Sequence, residues 1–128
     1  MNDPEIKAGV SLLYYGTGPA HDVRRAHIHV IVKDDIDKGN LLLVPISSQH
    51  QNCDKTCLFP QSCGWTALSK PSFVAYYTAK MVSRKATIDK IMSSEITYLG
   101  MMPDRLFEAL FVGIKRSPET EPWFLKHF

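Results

Sequence analysis

The sequence predicts a mainly β fold with some α structure: a small antiparallel β-barrel with a C-terminal helix packed on it. Three observations carry this. Two branched-aliphatic runs, Ala26–Lys33 and Asn40–Ile46, flank the turn-forming segment Asp34-Asp35-Ile36-Asp37-Lys38-Gly39 and read as an antiparallel hairpin. No helical pattern separates the early strands, which disfavours a doubly wound sheet. From Pro103 to Arg116, Leu106, Phe107, Leu110, Phe111 and Ile114 form an apolar stripe at helical spacing.

In chain order, residues 1–6 read as a loose lead-in and Ala8–Tyr15 as a first strand. Gly16-Thr17-Gly18-Pro19 opens a loop that delivers Arg24 and Arg25 to the hairpin. After Ser48 comes a polar, cysteine-bearing loop, Gln49 to Gly64, with a short strand at Thr56–Phe59. Ser72–Ser83 is apolar on both alternating faces, as expected of an interior strand. Thr87–Ser93 suits a short helical turn capped by Thr87, and Ile96–Leu99 a short strand ending at Gly100. In the long helix, Pro103 fits the first turn, and Lys115 and Arg116 fit the C-terminal end. Ser117-Pro118 stops it. The tail, Glu119–Phe128, keeps Trp123, Phe124, Leu125 and Phe128, too apolar to float free, so it docks on the body or on a partner.

Bulk properties narrow the function. At 128 residues, without repeats or a linker, the chain reads as one domain spanning 1–128. Fifteen Lys and Arg against thirteen Asp and Glu give a net charge of +2, which does not announce a nucleic-acid binder but allows a local basic patch. No apolar run approaches the ~20 residues that cross a bilayer, and the polar Met-Asn-Asp-Pro-Glu start argues for a cytoplasmic protein with no membrane association. Three cysteines crowded into residues 53–63 fit reduced thiols better than a disulfide framework.

The chemical clue lies at the hairpin's open end. Antiparallel pairing brings the start of the first strand, with Arg24 and Arg25, beside the end of the second, with Ser47 and Ser48. Guanidinium and hydroxyl groups meeting there suit a phosphate or another anion. Lys80 and Arg84 belong to a neighbouring run and extend the basic set. His27 and His29 share a strand face and suit a phosphate or a metal. The alternating histidines evoke the histidine-triad hydrolases, but Ile31 stands where the nucleophilic histidine would be, which excludes that chemistry. His50, Cys53, Cys57 and Cys63 are four potential zinc ligands in one loop, yet their spacing matches no compact knuckle. Tyr76 and Tyr77 are candidates for base stacking or for the core.

The order of parts resembles the PemK/MazF toxin family of small SH3-like barrel ribonucleases. Lys7-Ala8-Gly9-Val10-Ser11-Leu12-Leu13 is similar to the family's opening strand, Arg25-Ala26 to its Arg-Pro entry, and Pro45-Ile46-Ser47-Ser48 to its Pro-Ile-Thr-Ser turn. By this resemblance Arg25 matches an active-site arginine, Ser47 an active-site threonine, and Lys80 the arginine of a later strand. The chain departs from the pattern at Ala26, in place of proline, and in lacking the usual Glu-Gln of the preceding loop. The resemblance implies a metal-independent endoribonuclease that cuts single-stranded RNA without a cofactor, acting as the toxin of a toxin–antitoxin pair or as a phage or plasmid relative. It also implies a homodimer and an acidic antitoxin partner. Arg25, Ser47 and His27 would carry the chemistry, with Arg24, His29, Ser48, Lys80 and Arg84 binding substrate. The competing expectation is a non-catalytic SH3-like module that holds nucleic acid or a protein across its surface.

Overall fold

The computed structural model describes residues 3–15 and 26–128. Seven strands build one antiparallel sheet: β1 Val10–Tyr14, β2 His27–Ile36, β3 Asn40–Ser48, β4 Leu58–Phe59, β5 Ser72–Val74, β6 Lys80–Ser83 and β7 Ile96–Met101. Three helices accompany them: α1 Arg84–Met92, α2 Asp104–Arg116 and α3 Pro122–Leu125. The strand order is β4-β5-β3-β2-β1-β7, with β6 also paired to β3. Among the described residues no ladder joins the two ends, so the sheet is open. No helix among them is long and apolar enough to cross a membrane.

The hairpin forms as the pattern predicts, but with a tighter turn. β2 runs on through Asp34 and Asp35 to Ile36, which pairs with Asn40. Asp34 is held in the strand because its carboxylate accepts the Ala8 N–H at 2.9 Å. Asp37, Lys38 and Gly39 make the reversal with φ of 47°, 63° and 112°, a left-handed run that glycine completes without steric cost.

The alternation of β2 splits the interior in two. Ile28, Val30 and Val32 join Leu42, Val44, Ile46, Val74 and Tyr76 in a core that α2 covers with Leu106, Leu110 and Ile114. Ile31 faces the other way, with Leu41, Leu43, Val10, Leu12 and Ile96, and Ile88 and Ile91 of α1 pack there. α2 thus lies across the sheet through Leu106, Leu110 and Ile114, three of the five residues of its apolar stripe, with Phe107 partly buried beside them. The buried stripe is narrower than the apolar pattern, because Phe111 is 41% exposed, its ring stacked between those of Phe107 and Phe128.

The single strand expected over Ser72–Ser83 is broken. Val74 pairs with Ile46 and Lys80 with Leu43, so the five residues between them oppose only Val44 and Pro45. The excess is taken up by a 3₁₀ turn at Tyr76–Thr78. It swings Tyr76 fully into the core, where its hydroxyl donates to the Leu110 carbonyl at 2.8 Å, and leaves Tyr77 outside. Helix α1 also starts earlier than expected. Ser83, not Thr87, is its cap, accepting the Ala86 N–H at 3.2 Å, while Thr87 is buried within the helix. In the tail, α3 inserts Phe124 completely into the main core, so the tail docks on the body of its own chain.

Candidate functional site

Pairing fixes what meets at the open end of the hairpin. Tyr14 of β1 lies opposite His27, and Ile28 lies opposite Ile46, so Ser47 and Ser48 follow at the mouth. On their other side Ser47 pairs with Phe73 and Ser48 with Ser72 of β5. A cavity of about 430 Å³ opens here. Leu13, Ile28, Ile46 and Leu68 provide its apolar surface, and His27, Ser47 and Ser48 are polar members of its wall. Three of the residues singled out by sequence therefore line one cavity. Ser47 is half-buried and Ser48 exposed, and each carries a hydroxyl that can donate and accept.

Ser69, Lys70 and Ser72 complete the wall and were not singled out in the sequence. They lie on the segment after Trp65, which is fastened locally. Leu68 N–H donates to the Trp65 carbonyl at 3.1 Å, and the Ser72 hydroxyl donates to the Lys70 carbonyl at 2.9 Å. Gln49 ties the same segment to the end of β3, its side-chain amide donating to the Ser72 carbonyl at 3.0 Å. The signal that points to them is the cluster Ser69-Lys70-Pro71-Ser72 just before a strand, readable as a site only once β5 is known to pair with β3.

Arg24 and Arg25 lie outside the described residues. Ala26, which directly follows them, lines the cavity.

His29 and Lys80 do not line the cavity. They join Tyr14 in a stack on the α1 side of the sheet: Lys80 Nζ lies 4.1 Å from the Tyr14 ring centre, and the Tyr14 and His29 rings are 4.4 Å apart. His29 is only 5% exposed, and its pKa is pushed down to about 3, chiefly by burial and then by the Lys80 charge. It is a neutral core histidine and brings no cation to a phosphate. Burial also lowers the Lys80 pKa, with Lys90 adding repulsion, and raises that of Tyr14.

Arg84 is placed at the opposite end of the sheet, where Ser83 pairs with Asn40 beside the hairpin turn. Its guanidinium donates to the carbonyls of Asp34 at 2.8 Å and Ile6 at 2.9 Å, fastening the N-terminal segment to the hairpin. Its work there is structural.

The cysteine loop divides between two clusters. Cys53 is buried against Phe73 and Ala75, with His50 edge-on to Phe73, whereas Cys57 belongs to the main core. Burial pushes the Cys57 thiol up to about 11, so it stays protonated. All three cysteines are free thiols. Among the described residues no group of three or more His, Cys, Asp or Glu is placed to hold a metal ion.

No protein-family model matches this chain, and no curated protein matches it.

Proposed function

We propose that this chain is a metal-independent endoribonuclease for single-stranded RNA, with the hairpin-end cavity as its active site. In this reading the fold is a PemK/MazF-like, SH3-like barrel whose sheet is left open. The protein acts in the cytoplasm as the toxin of a type II toxin–antitoxin pair, or as a phage or plasmid relative. The observation that carries the reading is the convergence of His27, Ser47 and Ser48 on one cavity, whose wall also includes the residue next to Arg25.

The reaction is attack of a ribose 2′-OH on its own phosphodiester, which releases a 5′-OH and leaves a cyclic phosphate. A histidine is the side-chain type best suited to exchange protons near neutral pH, and His27 takes the 2′-OH proton and passes it to the departing 5′ oxygen. Arg25, with Arg24 beside it, clamps the phosphate through its planar fork, and Lys70 adds charge from the facing segment. Ser47 and Ser48 donate hydrogen bonds to phosphate oxygens as the charge develops. His29 drops out of the substrate-binding set because it is buried and neutral, and Arg84 because it is committed to backbone carbonyls. Lys80 stays at the edge as a source of positive potential. A homodimer and an acidic antitoxin remain part of the proposal. Apolar surface for a two-fold contact is offered by Met101, Trp123 and Leu125, which are exposed, whereas Met102 and Phe124 are buried within the chain.

The test is cleavage of single-stranded RNA by the wild type and by Arg25→Ala, His27→Ala and Ser47→Ala, with Arg84→Lys as a control. Removing the arginine or the histidine should lower the rate by about 10²–10³-fold, and the control should cleave normally. Equal cleavage by all variants rejects the site. Salt-sensitive RNA binding without cleavage in the wild type would establish the competing reading, a binding module.

A further inference from the structure

We infer that the outer side of α2 is a docking groove for an acidic peptide segment of a partner protein, one that carries bulky apolar side chains. The inference is independent of the ribonuclease reading, since the groove shares no lining residue with the hairpin-end cavity.

Two adjoining cavities flank the helix, of about 420 and 450 Å³, and share Val112 and Arg116. The first has an apolar floor of Phe111, Val112 and Phe128, and the second contains Leu58 and Ala109. Phe111, Val112 and Leu58 are 41%, 45% and 40% exposed, an unusual concentration of large apolar surface beside one helix. Arg105, Ala109, Val112 and Arg116 succeed one another at spacings of four, three and four residues. They therefore form a single line along α2, the track an extended or helical segment would follow.

Charge decides what lies there. Lys33, Lys115 and Arg116 rim the first cavity and Arg105 the second, against Glu108 as the single acidic side chain. Lys115 and Arg116 could be explained by the helix C-terminus alone, which favours cations in its last turn. Lys33 comes from β2 and Arg105 from the opposite end of α2, so the helix dipole does not account for them. Arg105 is held in place by donating to the Cys63 carbonyl at 3.0 Å, and Lys33 by the His127 carbonyl and the Phe128 ring. Among the described residues Lys115 and Arg116 make no ion pair, which leaves them for a ligand's carboxylates. A second copy of this chain fits poorly, because a two-fold contact would set the cationic rim against itself. An acidic segment with apolar anchors satisfies both the floor and the rim.

The experiment is selection from a displayed random-peptide library on the folded wild-type chain, with counter-selection on a Val112→Glu/Arg116→Glu variant. Both positions are exposed, so the variant should keep the wild-type circular dichroism and melting temperature. Enriched peptides should combine Asp or Glu with Leu, Phe or Trp. A synthetic copy of one should bind in fluorescence anisotropy, at least about tenfold more weakly to Phe111→Ser and to Lys115→Glu, and weaken with salt. If the variant proves misfolded, these two single substitutions serve for the counter-selection. Enrichment of basic or neutral peptides, or of none that distinguishes the variants, overturns the inference. So does oligouridylate that competes for the same face, or a dimer in light scattering that Val112→Glu dissolves.

Discussion

The two faces of the β2–β3 hairpin are built from the same branched aliphatics and put to different use. Toward α2, every position from Ile28 to Val32 is apolar, and the Tyr76 hydroxyl buried there is satisfied by the Leu110 carbonyl. Toward α1, the strand is apolar only at its centre, around Ile31, and then gives way to His29 with Tyr14 and Lys80 stacked beside it. Toward α2 the hairpin is an unbroken apolar surface, whereas toward α1 it admits a buried polar stack near its mouth. A residue's alternation in the strand says which face it is on.

The sharpest way to break this contrast is in the anchoring face. Leu110 is fully buried at the centre of α2, and Leu110→Ala leaves a void the rigid sheet cannot fill. Urea denaturation should show a loss of roughly 2–5 kcal/mol. A loss near zero would mean that α2 does not anchor the sheet. Nearby, Gly113 packs so closely on Tyr76 that an added Cβ would lie 2.0 Å from its hydroxyl oxygen, which explains why the helix spends a poor helix former there.

The opposite face is tested by acid. The unfolded chain takes up a proton on residue 29 as pH falls through about 6.5, whereas the folded chain resists until about 3. The unfolded state binds more protons throughout that interval. His29 therefore costs nothing above pH 6.5, and stability is lost progressively below it, by roughly 3 kcal/mol at pH 4. His29→Gln should flatten the dependence of stability on pH between 4 and 6.5 while leaving RNA binding at neutral pH unchanged. An unaltered acid slope would show that His29 is not the neutral core group described here.

The hairpin and α2 were legible because period-two and helical patterns each select a buried face directly. Antiparallel pairing alone brings strand start and strand end together, which is why the place of Ser47 and Ser48 at the mouth was legible; Arg24 and Arg25, the other half of that expectation, lie outside the described residues. What escaped was whatever depended on a partner remote in sequence. Ser72–Ser83 alternates like one strand, and only its facing stretch at Val44-Pro45, too short for it, forces the turn that buries Tyr76. The parity of β2 put His29 beside His27 but said nothing of Tyr14 and Lys80 closing over it. Arg84 looked like a ligand-binding cation because its acceptors, at Asp34 and Ile6, are 50 and 78 residues away. Lys70 sits in a segment without periodicity, where no pattern marks which way a side chain faces.

The smallest expected effect separates the cover of the α1 face from its contents. Of α1's own residues only Thr87 is buried, so the helix is held less by packing than by its start. There the Ser83 hydroxyl accepts the Ala86 N–H, and the Thr87 hydroxyl donates to the Ser83 carbonyl at 2.8 Å. Ser83→Ala removes the first of these and leaves one amide at the helix start without a partner. Global stability should fall by about 1 kcal/mol. Amide exchange should quicken first in Arg84–Met92, ahead of α2, because the weakly packed helix opens on its own. Cleavage and RNA binding should not change, since α1 contributes no residue to the lining of the hairpin-end cavity. Exchange that quickens equally in α1 and α2 would show that the two faces of the hairpin open together, and the contrast between them would not extend to dynamics.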